Sequence, residues 1–229
     1  MIAENIKRVQ QKIKEVCEKI DRNPEEIKIV AVAKTFSSQM IYEAYQAGLI
    51  DFAENYAQEF LEKKKELNEF PIHWHFIGHL QSNKVKYIAG QVDLIHSVDS
   101  LKIAREISEF CLRHNVIQNV LLEVNTSGET TKYGFPPDDV LNAVDAIMKL
   151  KNLNLIGLMT IGKFSEDPEE SRNEFRLLRE LRDEIRCKGY HLEHLSMGMS
   201  NDFPVAIQEG ATILRIGSAI FGTRINKNN

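Results

Sequence analysis

Cysteine is scarce in this sequence, which has only three in 229 residues. Cys17, Cys111 and Cys187 lie far apart and form no Cys-X-X-Cys pair. Their odd number and wide spacing indicate neither a disulfide framework nor a cysteine zinc site. Because a reducing compartment suits such a chain best, we expect a cytoplasmic protein.

Long apolar runs are absent as well, since no stretch reaches the roughly 18 residues that a membrane span needs. The N-terminus also lacks the apolar core of a secretory signal, so we expect no membrane partner. Its apolar residues instead recur at three- and four-residue steps, which predicts a leading amphipathic helix. These residues are Ile2, Ile6, Val9, Ile13, Val16 and Ile20.

Neither charge nor short motifs indicate a polyanion partner or a common nucleotide-binding fold. The formal net charge is −4, and the basic residues 63–65 are interspersed with Glu59, Glu62 and Glu66. This mixture is typical of a solvated helix face, so we expect no nucleic-acid partner. The G-X-S-X-G, P-loop and G-X-G-X-X-G motifs are missing, so serine hydrolase, NTPase and Rossmann interpretations have no support.

What the sequence does contain is an alternation of short apolar segments with longer segments of helical pattern. The predicted strands are 27–34, 51–55, 73–78, 94–98, 119–125, 153–162, 194–198 and 212–222. The predicted helices between them are 38–48, 56–67, 82–89, 100–114, 136–149, 168–187 and 201–209. This order predicts an α/β fold, a single (β/α)8 TIM-barrel domain over residues 1–229 with an extra N-terminal helix. A doubly wound open sheet is the alternative.

Active residues of such barrels gather where the strands end. Polar residues follow most of the predicted strands in this sequence, so we expect a functional site on that rim, although strand ends also need polar caps. These residues include Lys34, Glu54, Asn55, His79, His96, Asn125, Thr160, Ser196, Ser200, Arg215 and Ser218.

Lys34 ends the apolar segment "IKIVAVAK". Loss of hydration at such a position favours the free amine, which can form a Schiff base with a carbonyl compound. The alternatives are a lysine that extends into solvent and an ion pair with Glu54, and the pattern alone does not separate the three.

Two loops near the C-terminus predict a phosphate site. In "RIGSAIFG", residues 215–222, a Gly-Ser pair follows a strand and exposes backbone N–H groups that, with the Ser218 hydroxyl, can hold a phosphate. Barrel phosphate sites often lie after strands 7 and 8. Ser200, in the preceding loop, belongs either to this site or to a helix N-cap with Asn201 or Asp202.

Three other features have ordinary structural alternatives. His73 and His75 share a strand face and resemble metal-binding pairs, but they lie at the start of their strand, so we expect no metal there. Residues 81–84 either cap a helix or face a ligand. The Gly- and Thr-rich residues 125–135 form either a mobile lid or an ordinary long loop.

Taken together, these segments resemble the pyridoxal phosphate homeostasis protein family, the YggS/PROSC type. That family shares its barrel with the N-terminal domain of alanine racemase. The resemblance extends from about Ile27 to Arg224 through the motifs "AVAKTFS", "FAENYAQEF", "HWHFIGHLQSNK", "GLMTIG", "HLSMGMSNDFPVAIQEGAT" and "LRIGSAIFG".

The resemblance implies that the chain binds pyridoxal 5'-phosphate (PLP). Lys34 would carry PLP as a Schiff base, Asn55 would lie beside its ring, and Arg215 would face its ring nitrogen. The other implied binding residues are Ser200, Gly217 and Ser218 for the phosphate and Ile77 and Met197 for the ring pocket. Lys132 matches a family lysine proposed to assist cofactor transfer, and His79 departs from the proline of many members.

The resemblance leaves two functions, a PLP-binding homeostasis protein and a PLP-dependent amino-acid racemase. The racemase takes its second base, a tyrosine, from a second domain across a dimer, whereas this sequence ends seven residues after Gly222. A guanidinium at Arg215 would keep the ring nitrogen unprotonated, and the weaker electron sink argues against transaminase-like chemistry, although a racemase can tolerate it. We therefore expect a monomer that buffers or delivers PLP, with PLP-dependent apoenzymes as recipients and no turnover of its own.

Overall fold

The computed structural model describes residues 1–163 and 165–223. Its parallel strands are β1 (Lys28–Val32), β2 (Asp51–Glu54), β3 (His73–Phe76), β4 (Leu94–Val98), β5 (Gln118–Glu123), β6 (Leu153–Met159), β7 (His194–Ser196) and β8 (Ile213–Ile216). They close into a barrel in sequence order, with β8 hydrogen-bonded to β1. The predicted (β/α)8 barrel is confirmed, and the open-sheet alternative is wrong. Arg224, the last residue of the resemblance, lies outside the described residues.

Helices surround the barrel and connect its strands. They are α1 (Ile2–Lys19), α2 (Ser38–Gln46), α3 (Ala57–Glu66), α4 (Val85–Ile88), α5 (Leu101–His114), α6 (Val140–Ile147), α7 (Arg172–Cys187), α8 (Phe203–Gln208) and α9 (Ser218–Phe221). Short 3-10 turns at Ser82–Lys84, Pro137–Asp139 and Pro168–Ser171 lead into α4, α6 and α7. Among the described residues, no helix combines the length and apolar character needed to cross a membrane.

Helix α1 is the predicted N-terminal addition, and it packs against α8 and α9. Its predicted apolar stripe is buried at Ile2, Ile6, Val9, Ile13 and Val16. The Asn5 side chain donates a hydrogen bond of 2.8 Å to the carbonyl of Ile220, which ties the helix to the end of the barrel. Ile20 was wrongly included in the stripe: the helix ends at Lys19, and Ile20 is 38% exposed.

Alternate residues of each strand face the barrel interior and the surrounding helices. A small inner apolar cluster contains Val30, Val32, Ala53, Leu94, Leu121, Met159 and Ile213. A much larger cluster lies between the strands and the helices. The inner cluster shares the interior with buried polar side chains, namely Asp51, His75, His96, Ser196 and Arg215. The barrel therefore positions a polar interior directly beneath its C-terminal rim.

Candidate functional site

A cavity of about 590 Å³ lies at the C-terminal ends of the strands. It brings together seven predicted site residues from five different strand-loop units, as expected for a barrel of this type. These residues are Lys34, Asn55, Ile77, Ser200, Arg215, Gly217 and Ser218. The rest of the wall includes residues 123, 133, 161, 163, 199 and 202.

Lys34 lies two residues beyond β1, in a turn that its neighbours hold firmly. The Ala33 N–H donates to the carbonyl of Ala53 at 2.9 Å, and the Ala33 carbonyl accepts from Lys63 Nζ at 2.9 Å. On the other side, the Thr35 N–H donates to Glu59 Oε2 at 2.8 Å, although Thr35 has a φ of +70°. The backbone on both sides of Lys34 is thus fixed, and its side chain is directed to the cavity.

Glu54, the partner considered for Lys34 in the ion-pair alternative, is engaged by Lys63. Lys63 Nζ lies 2.7 Å from Glu54 Oε1 and 3.0 Å from Glu59 Oε2, and the Glu54 side chain is wholly buried. Burial raises the pKa of Glu54 to about 7, and the Lys63 ammonium opposes that rise. This buried cluster supports the turn that carries Lys34.

Asn55 and Ile77 come from the ends of β2 and β3. The Ile77 N–H donates to the Glu54 carbonyl at 3.0 Å, so the two strand ends remain in register as they enter the cavity. The following residue must be glycine, because a Cβ on Gly78 would lie 2.0 Å from the carbonyl oxygen of Asn55. Close approach of the two backbones therefore places Asn55 and Ile77 on the same wall.

Another part of the wall contains the predicted phosphate residues. Ser200 Oγ accepts hydrogen bonds from the N–H groups of Gly217 at 3.3 Å and Ala219 at 3.1 Å. The N-cap alternative for Ser200 is wrong, because the N-cap of α8 is Asp202 and the Ser200 hydroxyl points to the start of α9. The two loops thus meet where backbone donors converge, and the Ser218 side chain lies beside them on the cavity wall.

The conformation of residues 198–202 explains how Ser200 reaches this position. Gly198 has a φ of +91°, and a Cβ there would lie 2.6 Å from Ala206 Cβ. The Asp202 carboxylate then accepts from the Met199 N–H at 2.6 Å and closes the loop. A side chain at Gly198 would displace α8 and separate Ser200 from Gly217.

Arg215 is buried and lines the cavity. Its NH1 donates to Ser196 Oγ at 2.7 Å and its NH2 to the Thr160 carbonyl at 2.8 Å. Burial lowers the pKa of Arg215 to about 10, opposed by the charges of Asp202 and Glu123. The guanidinium therefore remains protonated at neutral pH and presents only donors to the cavity.

Glu123, the last residue of β5, is a cavity residue that sequence reasoning missed. It is 5% exposed, and burial raises its pKa to about 7, reinforced by the Asp99 charge and opposed by Arg215. The only signal in the sequence was a single charged residue at the end of an apolar strand, and strand ends commonly carry such residues.

The cavity mouth combines His79 with the loop after β5. His79 Nδ1 lies 2.7 Å from Asp99 Oδ2, and the His79 ring stacks on Tyr133 with centroids 3.7 Å apart. In that loop, Lys132 Nζ lies 2.9 Å from Glu129 Oε1 and donates to the Gly162 carbonyl at 3.3 Å. The loop thus reaches across to the β3 side of the cavity through Tyr133.

Of the eight residues implied for PLP binding, Met197 alone does not line the cavity. Ser196 faces the barrel interior, so the next residue along the chain faces outward. Met197 is accordingly wholly buried in the cluster between strands and helices. Its place in the ring pocket was predicted incorrectly, and Met199, two residues later, lines the cavity instead.

The paired histidines of β3 have separate environments. His73 is exposed, whereas His75 is buried and bonds to Asp51 and His96 at 2.9 Å each. The described residues contain no group of three or more His, Cys, Asp or Glu side chains that could hold a metal ion.

Fold and site define a barrel of the racemase type, since the family model for the alanine racemase N-terminal domain matches residues 2–225. The pyridoxal phosphate homeostasis protein of Aquifex aeolicus is 46% identical over 222 residues, 96% of this chain and 97% of that protein. The chain therefore belongs to the pyridoxal phosphate homeostasis protein family.

Two solved structures are similar to this chain in fold. PipY of Synechococcus elongatus, solved with PLP bound, is 30% identical with a TM-score of 0.85, covering 97% of this chain and 100% of that one. Alanine racemase of Clostridium difficile is 16% identical with a TM-score of 0.77, covering 98% of this chain and 58% of that one. The racemase thus shares the fold of this chain.

Proposed function

We propose that this protein binds PLP reversibly in the rim cavity and contributes to vitamin B6 homeostasis by buffering or delivering the cofactor. The observation that carries the proposal is the composition of one cavity. Its walls contain Lys34, the cluster of Ser200, Gly217 and Ser218, and the buried Arg215 guanidinium. PLP has an aldehyde, a phosphate and a ring nitrogen, so each of these groups has a matching partner.

Lys34 is the residue we assign to covalent attachment. PLP supplies an electrophilic aldehyde, and the Lys34 amine nitrogen bonds to its carbon while the aldehyde oxygen leaves as water. Because this condensation is reversible by hydrolysis, an open cavity at the barrel mouth suits exchange of the cofactor. The fixed turn holds the backbone from which the Lys34 side chain extends to the cavity.

Ser200, Gly217 and Ser218 are assigned to the phosphate. Ser200 Oγ already holds the N–H groups of Gly217 and Ala219, and a phosphate oxygen is a stronger acceptor for such donors. Asn55 and Ile77 are assigned to the ring. Met199 takes the place first predicted for Met197.

Arg215 argues against transaminase-like chemistry. Its guanidinium can only donate, so it would hold the ring nitrogen unprotonated and make the ring a weaker electron sink. A racemase can tolerate such a ring, so Arg215 does not separate binding from racemisation. We favour binding and exchange because an open cavity at the barrel mouth suits exchange better than protected carbanion chemistry.

The finer parts of the proposal concern location and partners. Cys17 and Cys111 are free and buried, which suits a reducing cytoplasm. We propose that the protein acts as a monomer and passes PLP to apoenzymes that depend on it. Lys132, beside the mouth, is the lysine we assign to that transfer.

A titration of the purified protein with PLP tests the binding site. The wild type should develop a visible absorption band that saturates at one PLP per chain, and incubation of the loaded protein with L-alanine should produce no D-alanine. Absence of any PLP binding would refute the proposal. Sustained production of D-alanine that depends on Lys34 would instead establish the racemase function.

A further inference from the structure

A continuous chain of buried hydrogen bonds crosses the barrel interior from its N-terminal end to the cavity. Asp51 Oδ1 lies 2.9 Å from His75 Nε2, and His75 Nδ1 lies 2.9 Å from His96 Nε2. His96 Nδ1 lies 2.8 Å from Ser196 Oγ, which accepts from Arg215 NH1 at 2.7 Å. We call Asp51, His75, His96 and Ser196 the interior relay.

The relay joins the two ends of the barrel. Asp51 is the first residue of β2, where it also contacts the half-exposed Lys28 at 3.0 Å and His73 at 3.5 Å. Arg215 lies at the other end and lines the cavity. All four relay residues are at most 7% exposed, so water has little access to the bonds between them.

The donors and acceptors of the relay follow one direction. The Asp51 carboxylate only accepts, so His75 carries its proton on Nε2 and is left with an acceptor at Nδ1. His96 must then donate from Nε2 and accept at Nδ1, which requires the Ser196 hydroxyl to donate to His96. The remaining lone pairs of Ser196 are thereby directed to the Arg215 guanidinium.

The charges of the two ends favour this direction. Burial lowers the pKa of both His75 and His96, so both rings are neutral and can each donate once and accept once. Burial alone would raise the pKa of Asp51, but hydrogen bonds from His75 and Lys28 lower it, so the carboxylate is ionised. A negative end and a positive end polarise every bond between them in the same sense.

We propose that the interior relay holds Arg215 at the cavity floor, so that Asp51, His75, His96 and Ser196 are positioning residues of the PLP site. The inference rests on the proposed function, since it assigns Arg215 to the ring nitrogen. Among the residues that the structure describes, the other acceptor of Arg215 is the Thr160 carbonyl, and a single contact leaves the guanidinium free to rotate about it. The relay supplies the second contact and thereby fixes the plane of the guanidinium.

A double-mutant cycle between Ser196→Ala and Arg215→Gln tests the relay. Ser196→Ala should weaken PLP binding by about tenfold and shift the maximum of the visible band, because Arg215 loses its orientation. In the Arg215→Gln background the same change should alter PLP affinity by less than about twofold, because nothing remains to be positioned. Tyr190→Phe, which removes a hydroxyl bonded to Asp145 outside the cavity, is the control and should leave PLP affinity unchanged.

Additive effects in the cycle, or a Ser196→Ala variant that binds PLP like the control, would overturn the relay while leaving PLP binding intact. Failure of the wild type to bind PLP would instead overturn the proposed function. If the variants do not fold, nitrogen-15 NMR of the histidine rings tests the interior relay instead. At neutral pH, both His75 and His96 in the wild type should be protonated at Nε2 and bare at Nδ1, and a proton on Nδ1 of either ring would contradict the relay.

Discussion

Glu123 provides a quantitative test of the cavity electrostatics, through the substitution Glu123→Gln. Its carboxyl is 5% exposed, and burial raises its pKa from 4.5 to about 7. Each pKa unit corresponds to about 1.4 kcal/mol, so ionising Glu123 in the folded protein costs about 3 kcal/mol of stability. Glutamine has nearly the same shape and remains neutral, so it avoids this cost.

The pH dependence has a definite sign. Between the unfolded pKa and the folded pKa, the folded state of the wild type binds more protons than the unfolded state, so its stability falls as pH rises. Below pH 4.5 Glu123 is protonated in both states, and above its folded pKa of about 7 the loss is complete. The free energy of unfolding of Glu123→Gln should therefore rise relative to that of the wild type across this window. Above the window, the variant should be about 3 kcal/mol more stable than the wild type.

Urea unfolding measures this difference, followed by the fluorescence of Trp74, the only tryptophan, which is buried. Urea titrations of both proteins at about pH 4 and about pH 8.5 give the difference in free energy of unfolding on either side of the transition. The other titrating groups are present in both proteins, so their contributions to the pH dependence cancel in the difference. Glu180→Gln, on the exposed face of α7, is the control and should show no such trend. A Glu123→Gln difference that does not change with pH would refute the reasoning.

Two further predictions concern the phosphate wall and the buried lysine. The double variant Ser200→Ala, Ser218→Ala should bind PLP at least about tenfold more weakly in equilibrium dialysis. Each hydrogen bond lost to the charged phosphate costs about 1.5–3 kcal/mol of binding free energy. Unchanged affinity would remove both serines from the site. Lys63→Met should lower the free energy of unfolding by about 3–5 kcal/mol, because it leaves the buried Glu54 carboxylate unpaired. Lys65→Met, at an exposed position of the same helix, is its control, and an equal effect of the two would contradict this reasoning.

Much of the fold was predictable because its signals are local. Each strand is a short apolar segment, and each helix a longer periodic one, so their alternation indicates a barrel before any contact is known. The ends of parallel strands meet on one rim, and for this reason Lys34, Asn55 and Arg215 could be grouped although 181 residues separate the first from the last. That residues 1–229 form a single domain stays a prediction.

The errors come from orientation, which depends on the register of the closed barrel. Met197 follows an inward-facing serine and therefore faces the helices. Only the strand pairing reveals which residues of this strand face inward. The interior relay was missed for a related reason. His75, His96 and Ser196 lie on strands β3, β4 and β7, and they become neighbours only when the barrel closes around them.

The most direct test of the central claim is to locate the covalent attachment of PLP. The wild-type protein is loaded with PLP, reduced with borohydride, digested and mapped by mass spectrometry, with Lys34→Ala treated in parallel. We expect one modified peptide, with the cofactor on Lys34, and no visible band in Lys34→Ala. Modification at another lysine, or a visible band in Lys34→Ala equal to that of the wild type, would contradict it.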